Sequence, residues 1–366
     1  MSDFEEFDRE QEEFQEMTLD DPTTITYYKT ASDISNAALE RVLSAVKPGS
    51  SRYRGTLLCC FQKKKDIVKG IAHPTCVSVN SQVNYVSPSQ SDDAIINEGD
   101  VVKVYLAAHI NGLASHVGQT IVCLADLASP VIDRKADVLC AAHFVSEAVL
   151  RKLRPGVTNT DIESIVRKVA EEFDCHPVEG QISYEGAQWT METNRVIPSA
   201  LTPDQRVDSY ELEENTAYHM SFFISTGEGK SRQADNRTTI YKRDPNTLYN
   251  LKMKTSRQVF NVIMNQFNDF AFSLRQLDDI DSKLRLGIPE LSKHDMIYPY
   301  PVEEEKDTNA FVAQVSFTAL ILPKQTQKLL TVSQPNVVSS SKEIKDAEIV
   351  ELLATEVEKK KKKVVV

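Results

Sequence analysis

Residues 98–124 read EGDVVKVYLAAHINGLASHVGQTIVCL. Two runs rich in β-branched and aliphatic residues, Val101–Ile110 and Leu113–Leu124, flank Asn111-Gly112. An Asn-Gly pair tolerates positive φ at both positions, which a two-residue hairpin turn requires. The stretch therefore reads as an antiparallel hairpin. Further strand signals lie at Thr75–Asn80 (TCVSVN), Thr216–Thr226, Arg237–Lys242 and Phe311–Leu322.

Helices alternate with these strands. Ile34, Ala38, Val42 and Ala45 recur at helical spacing, which predicts a helix over Asp33–Val46 with Ser32 as its cap. A second unit is predicted over Val138–Leu153. The two endings, Val46-Lys-Pro-Gly and Leu153-Arg-Pro-Gly, lie 107 residues apart, which suggests a pseudo-duplicated domain. Thr160-Asp-Ile-Glu163 reads as a capping box opening a helix with Ile162, Val166, Val169 and Phe173 on one face. A long helix is predicted at 246–267, followed by an irregular insertion at about 269–300. From about residue 335 come a Ser-rich link, a short helix with Ile349, Leu352 and Leu353, and the run Lys359–Lys363. The fold class is α+β.

The chain has 366 residues, 41% of them hydrophobic and 26% charged, which excludes general disorder. No apolar run reaches the roughly 18 residues of a membrane span, so no membrane is expected. Six cysteines are scattered with no CxxC pair, a pattern that predicts reduced thiols in the cytosol or nucleus. Residues 1–21 carry a net −9 and read as an acidic disordered tail, neither a secretory signal nor a transit peptide. Lys359–Lys363 adds +5, leaving −7 for residues 22–358. A body of that sign meets a polyanion only through a local basic patch. None of the seven histidines forms HExxH, and there is no P-loop and no GxSxG. From the residues alone no active site is visible.

Three stretches, however, resemble the methionine aminopeptidase superfamily: Glu98–Tyr105 with Asn111-Gly112 and Thr120, Glu213–Ser221 with Ser225-Thr226-Gly227, and Ala313–Ala319. Gly229-Lys230, RTTIYKRDP at 237–245, LKMKTSR at 251–257 and the Lys-rich end resemble its non-peptidase branch, the proliferation-associated and curved-DNA-binding proteins. The resemblance spans roughly residues 22–363 and implies a pita-bread fold with two pseudo-symmetric halves over 22–335, with 336–366 as a docking helix and tail.

Active members of that superfamily hold two metal ions with two Asp, one His and two Glu. The resemblance places those ligand positions on Tyr105, His116, Gln181, Ser221 and Ser316, and the substrate-contacting His on Tyr85. A phenol, an imidazole, an amide and two hydroxyls cannot offset about four positive charges. The expectation is no catalytic residue, no metal and no cofactor.

The resemblance instead implies a monomer that binds ribosomal large subunits, structured RNA, DNA or regulatory proteins, in the cytoplasm and nucleolus. Its candidate phosphate contacts are Lys63, Lys64, Lys65 and Lys69; Lys242 and Arg243; Lys252, Lys254 and Arg257; Lys283, Arg285 and Lys293; and Lys359, Lys360, Lys361, Lys362 and Lys363. Each also reads as a plain solvated face. Ile349, Leu352 and Leu353 form a candidate protein-docking motif, or pack on their own domain. The competing readings are a metal-dependent aminopeptidase, and a peptide-binding scaffold whose cleft is lined by Tyr85, Tyr105 and Trp189.

Overall fold

The computed structural model describes residues 17–52, 68–88, 94–201 and 207–356. The chain opens with α1 (Pro22–Ala45) and continues through β1 (Lys69–Val79), β2 (Gln82–Asn84), β3 (Val101–Ile110) and β4 (Leu113–Val122). Helices α2 (Asp133–Lys152) and α3 (Asn159–Glu172) follow, then β5 (His176–Pro177), β6 (Ile182–Gly186), β7 (Val196–Pro198), β8 (Thr216–Ser225) and β9 (Ser231–Gln233). Next come β10 (Ile240–Arg243), α4 (Lys254–Val262), β11 (Phe272–Ser273), α5 (Leu274–Asp281), α6 (Ile288–Lys293) and β12 (Ile297–Tyr300). The chain ends in β13 (Glu303–Glu305), β14 (Val312–Leu322), β15 (Gln325–Lys328) and α7 (Ala347–Ala354).

The main sheet has nine strands, with the path β1-β3-β4-β14-β8-β6-β7 and with β15 on β14 and β5 on β8. The hairpin forms as read: β3 pairs β4 from Val101↔Val122 to Ile110↔Leu113, and Gly112 takes φ +79° in the turn. The two halves of the sheet meet between β4 and β14 at only Ser316↔Gly118 and Phe317↔Val117. Each half has its own apolar core. Leu39, Val42 and Leu43 of α1 pack on Val102, Val104 and Ile121. Val138, Val145 and Val149 of α2, with Ile162, Val166 and Val169 of α3, pack on Met220, Phe222, Phe317 and Ala319. The two helix units are thus equivalent covers for two half-sheets.

Several expectations need correction. The first helix starts at Pro22, not Asp33, and its cap is Asp21, which accepts from the Thr23 amide at 2.8 Å. Ser32 is buried mid-helix and donates to the Leu329 carbonyl at 2.6 Å. The first turns (PTTITYYKT) are rich in Thr, Ile and Tyr, weak helix formers. Packing of Tyr28 beside Leu113 and Leu320 overrides that weakness. Leu19 joins this cluster, so the acidic tail ends before it; residues 1–16 lie outside the described part. The capping box is Thr158 with Asp161, two residues earlier than read, and Glu163 is buried.

The largest correction concerns the insertion. The helix expected over 246–267 is α4 followed by a π-helical turn, Ile263–Phe267. Residues 269–300 are ordered, and β10 belongs with them, since it pairs both β11 and β12. Leu251, Val259 and Ile263 share a core with Phe272, Leu277, Leu291 and Ile297. The unit therefore begins near Ile240. Short helices of mixed polarity hide their periodicity, so the sequence signal reads as irregular.

The C-terminal link is pinned to the domain. Asn336 mimics a strand neighbour, accepting from the Val122 amide at 2.9 Å and donating to its carbonyl at 3.0 Å. Of the two readings of α7, packing on its own domain is the one its apolar residues follow. Ile349 is fully buried in the core of α2 and α3, and Leu352 and Leu353 pack against that core.

Candidate functional site

Strand register brings the mapped positions together. Tyr105 lies opposite Gly118, Gly118 opposite Ser316, and Ser316 opposite Ser221, so four adjacent strands contribute to one point. His116, two residues before Gly118, projects to the same face. Gly118 keeps this point open: a Cβ would lie 3.0 Å from the Ser316 side chain and 3.2 Å from the Tyr105 ring, so both would have to shift. Gln181 enters from the segment before β6 and Tyr85 from the segment after β2, the latter at φ +63°. Tyr85, Tyr105, His116, Gln181 and Ser221 border a cavity of about 80 Å³, room for a few water-sized groups.

The side chains at the five ligand positions all find hydrogen-bond partners. The Nε2–H of His116 donates to the Phe317 carbonyl at 2.9 Å, which leaves Nδ1 to accept from the Tyr105 hydroxyl at 3.1 Å. Ser221 and Ser316 share a hydroxyl–hydroxyl bond of 2.6 Å. Gln181 accepts from Asn84 at 2.9 Å and donates to Glu303 at 2.6 Å. Burial sets the charge state. It pulls His73 and His116 down to about 4 and His219 further, so all three are neutral at pH 7. It holds the Tyr85 and Tyr105 phenols protonated and pushes the Cys76 thiol up to about 12.

This donor set does not fit a dimetal centre. It contains no carboxylate at the five positions, and the one imidazole has both nitrogens engaged. Among the described residues no group of three or more His, Cys, Asp or Glu is arranged to hold a metal ion. The nearby carboxylates are otherwise occupied. Glu192 receives Lys242 Nζ at 2.6 Å and the Tyr300 hydroxyl at 2.5 Å.

Sequence reasoning missed His73, His219, Glu192 and Tyr300. His219 had a usable signal: it is two residues from Ser221 on one strand and so shares its face. Glu192 and Tyr300 arrive from a loop and from the insertion, and no local pattern marks them. Trp189 does not line this cavity. It covers Gly112 on the hairpin turn, beside His109 and Phe270.

The structure separates the basic candidates. Lys63, Lys64, Lys65 and Lys359–Lys363 lie outside the described residues. Lys69 is half-buried at the start of β1. Lys242 points into the cleft, Arg243 pairs with Asp269, and Arg285 pairs with Asp278. Lys252, Lys254, Arg257, Lys283 and Lys293 are exposed on the insertion. Arg257 is partly engaged, donating to the Leu251 and Lys252 carbonyls at 2.8 and 3.0 Å.

Comparison with known proteins places this geometry. Residues 26–222 match the profile of metallopeptidase family M24. A protein named ERBB-3 binding protein 1 from Arabidopsis thaliana is 37% identical over 94% of this chain and 89% of its own. The curved DNA-binding protein of Schizosaccharomyces pombe is 34% identical over 94% of each. The solved structure of a thermophilic Arx1 matches with TM-score 0.84 and 26% identity, covering 93% of this chain and all of that one.

Proposed function

The chain belongs to metallopeptidase family M24 and has its pita-bread fold, and on that footing we propose that it is a non-catalytic member that binds structured RNA of the large ribosomal subunit. One observation carries the non-catalytic part: the five ligand positions are neutral and already engaged in hydrogen bonds, Tyr105 to His116, Ser221 to Ser316, and Gln181 to Asn84 and Glu303. The loss of every carboxylate removes both the charge and the hard oxygen donors that two divalent ions need.

The binding part is supported by the exposed cations of the insertion on a body that is acidic overall. A relative that bears the name curved DNA-binding protein is consistent with a phosphate backbone as ligand. Phosphate contacts supply most of the affinity in such complexes and make it depend on salt. The protein acts as a monomer in the cytoplasm and nucleolus, in ribosome biogenesis or translation.

The test has two arms. The purified chain, given cobalt, manganese or zinc, is expected to retain no stoichiometric metal and to leave a Met-initiated peptide intact; turnover that depends on Ser221 or His116 would refute this. Co-sedimentation with large subunits is expected to weaken by about 10³ or more between roughly 50 and 200 mM salt if six or more phosphates are contacted. Binding that is unchanged over that range would point to an apolar protein contact.

A further inference from the structure

The insertion is fastened to the sheet through the old cleft. In its small sheet Ile240 pairs with Tyr300, and Lys242 lies two residues further along β10, so the three side chains share one face. That face enters the cleft. Ile240 is fully buried and clusters with Cys76 and Ala271, with Tyr85, Tyr105 and Tyr300 around them. The Tyr300 and Tyr85 rings lie 4.9 Å apart. At the rim, Glu192 on the β6–β7 loop receives both Lys242 and Tyr300, one on each carboxylate oxygen. A second strut joins Thr239 to the Ser87 carbonyl at 2.8 Å. The exposed cations Lys252, Lys254, Lys283 and Lys293 sit on the helical part of the same unit and form no ion pair with the described residues.

We propose that the catalytically silent cleft is a socket that orients the insertion, with Glu192, Lys242 and Tyr300 as positioning residues for its cationic surface. Lys242 then serves ribosome binding without touching a phosphate. Tyr85, held in a left-handed conformation, supplies the aromatic wall of the socket, and Glu192 fixes the rotation of the unit through two donors from separate strands. A carboxylate that accepts two directed bonds from one rigid face leaves that face little freedom to swing. The proposal rests on the ribosome-binding reading for its functional consequence, and on geometry alone for the anchoring.

The test uses the full chain. Lys242→Met, Glu192→Gln and the milder Tyr300→Phe are compared with the charge-swapped pair Glu192→Lys with Lys242→Glu. Amide hydrogen exchange is read across residues 240–300 and across β3, β4, β8 and β14, beside co-sedimentation with large ribosomal subunits. Lys242→Met and Glu192→Gln are expected to raise exchange in 240–300 at least tenfold while the central strands stay protected, and to lower ribosome affinity about tenfold. Tyr300→Phe is expected to do the same more weakly, and the swapped pair to restore both readouts. A merely structural loss would lower protection in the central strands as well. Unchanged exchange in 240–300 for all single variants overturns the socket. A loosened insertion with unaltered ribosome affinity overturns the positioning role. A wild-type chain that does not bind ribosomes overturns the proposed function instead, and leaves the exchange result to judge the socket.

Discussion

His116 shows what a single side chain can settle. Both ring nitrogens are bonded, to Phe317 and Tyr105, and the ring is almost wholly buried. Charging it would strand a cation with no carboxylate partner, so its folded pKa sits near 4 against 6.5 in the unfolded chain. Between those values the unfolded chain binds protons that the folded one refuses. The stability this represents is complete above pH 6.5 and is lost as pH falls toward about 4. His73 behaves in the same way. Chemical denaturation at pH 7 and pH 4 should therefore show a smaller acid loss in His116→Gln than in the wild type. The difference approaches about 3 kcal/mol, from about 1.4 kcal/mol per pKa unit. Equal losses would mean that His116 takes up its proton without unfolding.

At the scale of elements, α7 shows a choice that tertiary packing makes. Ile349-Val-Glu-Leu-Leu353 reads as a docking motif, yet its first residue fills the core of its own domain. The helix is seated by Glu172, which accepts from the Lys345 and Asp346 amides at 3.2 and 3.0 Å. Ile349→Ala should then cost about 3 kcal/mol, in the range of buried large-to-small changes. Val350→Ala, half exposed one residue on, should stay within about 0.5 kcal/mol. Similar costs for the two in urea unfolding would show that α7 is not seated. The same limit of local reading applies to α1. Its start at Pro22 depends on Tyr28 finding Leu113 and Leu320, contacts far away in sequence.

For the molecule as a whole, the acidic body and the basic insertion divide the work of the proposed complex. Arg257 braces the segment before α4, so its reversal would disturb structure as well as charge. Lys252 and Lys254 are exposed without ion pairs to the described residues and give the cleaner probe. Lys252→Glu with Lys254→Glu is expected to weaken ribosome co-sedimentation at least tenfold, about 1.4 kcal/mol, with the unfolding midpoint unchanged. Deletion of Lys359–Lys363 is expected to leave that contact in place and to lower nuclear accumulation or affinity for unstructured RNA. If the tail deletion abolishes ribosome binding and the double reversal does not, the contact surface is the tail.

The hairpin and the central strands were legible in the residues, and the resemblance implied neutral side chains at the ligand positions. Period-two patterning and an Asn-Gly turn are local properties, and the identity of a side chain needs no coordinates. The family resemblance supplied the positions Tyr105, His116, Gln181, Ser221 and Ser316, and strand register brings all but Gln181, which enters ahead of β6, onto adjacent strands. What sequence could not yield was set by long-range contacts: the helix start at Pro22, the choice between docking and packing for Ile349, and the pairing of β10 with β12 that makes 240–300 one unit. Glu192, Lys242 and Tyr300 meet across separations of 50 and 108 residues. Neither spacing nor periodicity encodes such a meeting, because it depends on where two independently packed units come to rest.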